Sequence, residues 1–253
     1  MTNPLQLLKR LDEIGVSLSR TPNALALIGL GSVGTEIARL DEYSDLDFFA
    51  IVKEGYKADF LQDLTWLSSI NPVIWSFQNT SDGYKLLFED GIFSEFAVFE
   101  LRELERIPFA PGRVVWAKEG ISLDIARPKI ETAVRETHST DWLIGEVLSN
   151  LYIGLCRYKR GEKLSAYRYV QVFAVDRILE LANRLEKEQS SFPDPFAGER
   201  RFEERFPGVA KVLPQLMLGY EATQESARNI LNLLDEHFEI NQRMRGSILE
   251  LVQ

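Results

Sequence analysis

Gly31-Ser32 and the pair Asp45, Asp47 are the residues of this chain whose types and spacing suit chemistry. Gly31-Ser32 closes the apolar run Ala24–Leu30 (ALALIGL), and after twelve intervening residues Asp45 and Asp47 open a second apolar run, DLDFFAIV. Small residues at a turn let main-chain N–H groups and a hydroxyl come close to phosphate oxygens. On a strand, residues i and i+2 project from one face, roughly 6–7 Å apart. Two carboxylates at that separation hold one divalent cation jointly or one each. Metal-assisted nucleotidyl transfer needs this combination.

The same glycines support a rival. Gly29-Leu30-Gly31-Ser32-Val33-Gly34 matches G-x-G-x-x-G after a strand, Val33, Ile37 and Leu40 suit the buried side of a helix, and Glu54 lies near the spacing of a ribose-binding acid. That pattern belongs to NAD-dependent Rossmann enzymes. Against it, Asp45 and Asp47 stand where a Rossmann strand is usually apolar, and the later sequence does not continue as strand–helix repeats. The plainest alternative makes Asp45 and Asp47 turn residues before a strand, a reading that leaves the Gly-Ser spacing unexplained.

A two-metal site usually takes a third carboxylate from a neighbouring strand. In FSEFAVFEL the candidates are Glu95 and Glu100. Glu95 shares its strand face with Phe93, Ala97 and Phe99, and an acid among apolar neighbours is costly unless paired or coordinated, so Glu95 is preferred. It would ligate metal or act as general base; the ordinary alternative is an exposed edge-strand acid. Triphosphate also calls for cations. Arg39, between Ser32 and Asp45, is one candidate, with a solvated arginine as the ordinary alternative. Lys159 and Arg160 are another pair, equally explained by the preference of cations for a helix C-terminus. Glu146, within WLIGEVLSNLYIGL, is either a base from a second domain or a half-exposed helix residue.

Composition narrows the classes. The 253 residues are 45% hydrophobic with 15 Phe and 4 Trp, enough for a substantial core in one large domain or two ordinary ones. A formal net charge of −9 argues against binding long nucleic acid through its phosphates. Cys156 is the one cysteine, which excludes an intrachain disulfide and fits a reducing compartment. With His138 and His237 far apart in sequence, a metal would be held by oxygen, favouring magnesium or manganese over zinc. No run of signal-peptide or membrane-spanning kind is present, so a soluble, cytoplasmic protein without membrane contact is expected.

The elements that must position these residues follow from periodicity. Asn3-Pro4 starts a helix with Leu7, Leu8, Leu11 and Ile14 on its buried stripe and Gly15 at its end. A second helix is predicted over Ala58–Ser69. Further strands are predicted over Val73–Phe77, Tyr84–Phe88 and Phe93–Leu101, with Asp82-Gly83 and Asp90-Gly91 as turns, giving a sheet of about five strands. After residue 120 strand signals fade. Helices over Asp141–Lys159, Ala166–Gln189 and Val209–His237 suggest a helical bundle. The fold class is α+β, a mixed sheet flanked by helices (1–125) followed by an α-helical bundle (126–253), with the boundary placed between residues 120 and 138.

IGLGSVGTEIARLDEYSDLDFFAIVKEG resembles the signature of the DNA polymerase β-like nucleotidyltransferase superfamily, a Gly-Ser turn followed by a hydrophobically bracketed Asp-x-Asp. YSDLDFF, the Glu95-Phe96 strand with Ile107-Pro108 downstream, and NLYIGLCRYKRGE make the chain similar to the antibiotic nucleotidyltransferases of the lincosamide and aminoglycoside types. The resemblance covers most of residues 24–165. It implies a catalytic α/β domain and a helical domain with the active site in the cleft between them. It implies ATP as donor, two Mg2+ ions, and transfer of AMP to a hydroxyl of a small-molecule acceptor, an antibiotic among the options. Carried onto this chain, Asp45, Asp47 and Glu95 would ligate metal, Gly31 and Ser32 would bind triphosphate, and Lys159 and Arg160 would reach the nucleotide from the second domain. Some relatives are homodimers. A non-catalytic nucleotide-binding or toxin-neutralising module on the same scaffold is the competing class.

Overall fold

The computed structural model describes residues 3–130, 138–192, 194 and 196–253. The chain divides into two compact units, Met1–Val134 and Arg135–Gln253.

In the first unit, helix α1 (Pro4–Arg20) begins as its sequence dictates. The Asn3 side chain accepts from Leu5 N–H, Pro4 occupies the first turn, and Leu7, Leu11, Ile14 and Leu18 are buried. Gly15 does not end it. The helix runs on to Arg20, and a Cβ on Gly15 would stand 3.2 Å from the Cβ of Trp116. This glycine therefore allows close packing against the sheet rather than providing a cap. Strands β1 (Ala24–Gly29) and β2 (Leu46–Val52) follow, then two short helices, α2 (Lys57–Gln62) and α3 (Thr65–Ser68). The single helix predicted over Ala58–Ser69 is split because Asp63 leaves the helix and its carboxylate accepts from Thr65 N–H at 2.9 Å.

Strands β3 (Val73–Gln78), β4 (Gly83–Phe88), β5 (Phe93–Glu100) and β6 (Arg113–Ala117) complete a six-stranded sheet of order β3-β4-β5-β2-β1-β6. The β2–β5 pair is parallel and the other pairs are antiparallel, so the sheet is mixed and the fold class is α+β as expected. β6, a five-residue edge strand, is the one sequence reading passed over; a run that short carries little periodicity. Asp90-Gly91 forms its turn, with Gly91 at φ +86°, whereas Gly83 already belongs to β4.

Alternation divides the sheet's side chains between two faces. Leu46, Phe48, Ala50, Phe96 and Val98 pack with Leu7, Leu11 and Leu67 on the helical face. Ile28, Ile51 and Phe99, with Phe49 and Ala97, pack with Phe109 and Ala126 on the other. The first unit thus reaches beyond residue 125: Ala126 is buried in it and its carbonyl accepts from Gly112 N–H at 2.8 Å. Residues 131–137 of the boundary interval lie outside the described residues.

The second unit is helical: α4 (Thr140–Lys159), α5 (Lys163–Arg168), α6 (Ala174–Leu185), the one-turn helices α7 (Phe202–Arg205), α8 (Pro207–Ala210) and α9 (Leu213–Leu216), then α10 (Thr223–His237) and α11 (Gln242–Val252). Ser139 caps α4 by accepting from Trp142 N–H. A π-turn over Tyr169–Phe173 joins α5 to α6, where one continuous helix is predicted. The predicted Val209–His237 helix is broken at Gly219, φ +94°, where the buried Gln171 amide bonds both the Gly219 N–H and its carbonyl. Leu151, Leu155, Ile178, Leu181, Ile230 and Leu234 form its core. Among the described residues no helix is long and apolar enough to cross a membrane.

Candidate functional site

Gly31 terminates the β1 run and opens a 3-10 turn, Gly31–Val33. Its φ of +52° lies in the left-handed region that favours glycine, and a Cβ there would meet Arg39 Nη2 at 2.9 Å and Asp47 Oδ2 at 3.8 Å. Glycine, guanidinium and carboxylate therefore share one corner. Among the described residues the N–H groups of Gly31 and Ser32 have no main-chain acceptor, as in any first helical turn. Ser32 is only 3% exposed, so the turn offers its backbone more readily than this hydroxyl. Arg39 ends a second 3-10 turn, Ile37–Arg39, and is ion-paired through Nε with Glu36.

The turn is braced from behind. Gly34 lies so close to β1 that a Cβ would stand 2.6 Å from the Gly29 carbonyl oxygen. Arg113, opposite Gly29 on β6, donates from Nη2 to the Val33 carbonyl at 3.1 Å. Thr35 Oγ1 donates to the Pro111 carbonyl at 3.1 Å. Nothing in residue spacing points to Arg113; only the pairing of β6 with β1 brings it here.

Asp47 lies on β2 and Asp45, exposed, immediately precedes that strand. The parallel pairing with β5 sets Asp47 opposite Glu95. Ser94, fully buried, fixes that register by donating from Oγ to the Leu46 carbonyl at 2.7 Å. Glu100 lies five residues further along and accepts from Gly55 N–H at 2.7 Å, which removes it from this corner. Glu95 is engaged on its far side: Lys85, its partner on β4, lies 3.2 Å from Oε2, and Asn79 Nδ2 donates to Oε1 at 2.9 Å. Among the described residues no group of three or more His, Cys, Asp or Glu side chains is arranged to hold a metal ion. Asp47 and Glu95 are thus neighbours in register, while Lys85 and Asn79 engage the Glu95 carboxylate.

The chemistry of this donor set fits a hard cation. Asp45 and Asp47 carry carboxylate oxygens, and magnesium is commonly bound by one or two carboxylates with water and substrate phosphates completing its shell. Both histidines belong to the second unit.

Lys159 and Arg160 are exposed at the C-terminus of α4, and Arg160 Nε pairs with Glu162 at 2.9 Å. Glu146 is half-buried on the same helix. All three belong to the second unit. Two cavities lie elsewhere: one of about 730 Å3 among α1, α2 and α3, lined by Glu13, Asp59 and Trp66, and one of about 510 Å3 in the second unit beside His138, Glu180 and Arg205.

The Rossmann alternative is overturned. β1 and β2 run antiparallel, joined through 3-10 turns, whereas a dinucleotide-binding unit needs parallel strands joined by a helix. Ile37, assigned to a buried helix face in that reading, is exposed, and Glu54 is ion-paired with Arg102.

No family model matches the chain, and no curated protein matches its sequence. Among solved structures, an aminoglycoside 6-adenyltransferase from Bacillus subtilis is similar in outline, at 14% identity and a TM-score of 0.33, over 100% of this chain and 92% of that one.

Proposed function

We propose that this chain is a nucleotidyltransferase that moves AMP from ATP to a hydroxyl of a small-molecule acceptor, with Mg2+ as the metal. The observation that carries the reading is the corner where Asp47 Oδ2, Arg39 Nη2 and the left-handed Gly31 turn meet, one strand away from Glu95. Asp45 and Asp47 would hold divalent metal, which supplies charge neutralisation and Lewis acidity when bound. The N–H groups of the Gly31 turn and the Arg39 guanidinium bind the β- and γ-phosphates and favour the charge that accumulates on departing pyrophosphate. The acceptor oxygen forms the new bond to the α-phosphorus while the bond to pyrophosphate breaks. The acceptor's proton passes to a carboxylate oxygen of Glu95 or to water. The antibiotic class of the acceptor rests on the motif resemblance.

The test is release of pyrophosphate from Mg-ATP with an acceptor panel. Asp45→Asn and Asp47→Asn should each lower transfer by on the order of 10²-fold or more while keeping the native circular dichroism spectrum. Full activity in either variant contradicts the assignment. The Lys85–Glu95 pair favours a second reading, a non-catalytic nucleotide-binding module. ATP that binds without turnover across the panel would decide for it.

A further inference from the structure

The row of side chains that begins at Asp47 continues across the sheet. Asp47 is opposite Glu95, Glu95 opposite Lys85, and Lys85 opposite Phe77. One step along the strands, Phe93 is opposite Leu87 and Leu87 opposite Trp75. Side chains opposite one another on adjacent strands share a face. Trp75, Phe77 and Phe93 therefore stand on the same face as the carboxylates, and they are 47%, 56% and 37% exposed. Trp75 and Phe93 are nearly parallel, with centroids 6.4 Å apart and planes 24° apart, and Phe77 flanks Trp75 at 6.4 Å and 32°. Three large rings half-open to water form an apolar patch of the kind that binding surfaces carry.

We infer that these rings are the platform on which the acceptor of the proposed transfer rests, through an aromatic ring or the apolar face of a sugar ring. The inference depends on the reading of Asp45 and Asp47 as the transfer centre. In-line displacement separates the attacking oxygen from the leaving group. The Gly31–Arg39 corner lies on the β1 side of Asp47 and the platform on the β5 side. With triphosphate at the first, the acceptor approaches from the second. Three strand spacings separate Asp47 from Phe77, about 14 Å, the span of an acceptor of two or three rings. Between them Lys85 and Glu95 neutralise each other and offer polar atoms to hydroxyls. The rings stand on the sheet face, not along the hydrogen-bonding edge of β3, which favours a small molecule over a strand added by a second copy.

The probe is 4-nitrophenyl β-D-glucoside, with methyl β-D-glucoside for comparison, in equilibrium dialysis against the full chain. The aryl compound should bind more tightly. Trp75→Ala and Phe77→Ala should each weaken it by roughly tenfold. Leu5→Ala, at an exposed residue of α1 away from the sheet face that carries the rings, should leave it unchanged. Michaelis constants for ATP should not move in Trp75→Ala. Equal binding of the two glucosides, or binding indifferent to Trp75, overturns the platform whether or not the chain transfers AMP. A raised KM for ATP overturns it in favour of adenine, and a dimer that Trp75→Ala dissociates overturns it in favour of a subunit contact. Asp47→Asn should abolish transfer and keep probe binding; binding sensitive to Trp75 without transfer to any acceptor supports the platform and strikes the transfer reading alone.

Discussion

At the scale of single residues, Gly31 carries two constraints at once. Its backbone is left-handed and its missing Cβ leaves room for Arg39. In Gly31→Ala the left-handed alanine costs about 1–2 kcal/mol, which should lower the melting temperature. The methyl group should also displace the Arg39 tip and raise the KM for ATP more than it lowers kcat. An unchanged KM would mean that Arg39 does not meet the nucleotide. Ser94 is the second decisive residue. Removing its hydroxyl in Ser94→Ala leaves the buried Leu46 carbonyl short of a donor, a loss of about 1–3 kcal/mol readable by urea denaturation. Activity should fall with it, since that bond holds the strand immediately before Asp47.

At the scale of elements, α2 is fastened to the sheet by Lys57. Its ammonium lies 2.7 Å from Asp82 and 2.6 Å from Glu103, and 4.9 Å from the centre of the Phe99 ring. Burial pulls its pKa down, but the two carboxylates outweigh burial and hold it above the ordinary 10.5. A raised pKa means that the folded state binds the proton more tightly. The contribution is thus complete below pH 10.5 and is lost as pH rises through the folded value. Lys57→Met should destabilise by about 1–3 kcal/mol at neutral pH. Urea denaturation of variant and wild type should converge above that pH, and a constant difference would refute the linkage.

Across the whole molecule, each unit buries its own apolar cluster, Leu7 to Phe96 and Ile28 to Phe109 in one, Leu151 to Leu234 in the other. Expressed alone, Met1–Val134 and Arg135–Gln253 should each melt cooperatively. A non-cooperative first unit would show that its core needs the second. The passage from a mixed sheet to C-terminal helices was legible because strand signals give way to helical spacing after residue 120.

Local pattern determined a good deal of this protein by itself. The Asn3-Pro4 start, the apolar runs of β1 and β2, the α4 helix and the Gly-Ser…Asp-x-Asp motif are short-range signals, each encoded within a few neighbouring residues. What only the tertiary structure decided is which residues meet across strands. The parallel β2–β5 register set Glu95 beside Asp47, and β4 then supplied the Lys85 that holds it. Pairing of β6 with β1 brought Arg113 to the turn, and three strand pairings brought Trp75 and Phe77 onto the carboxylate face. Such contacts join residues tens of positions apart, and strand register depends on the packing of both faces together, so no window of the sequence contains them.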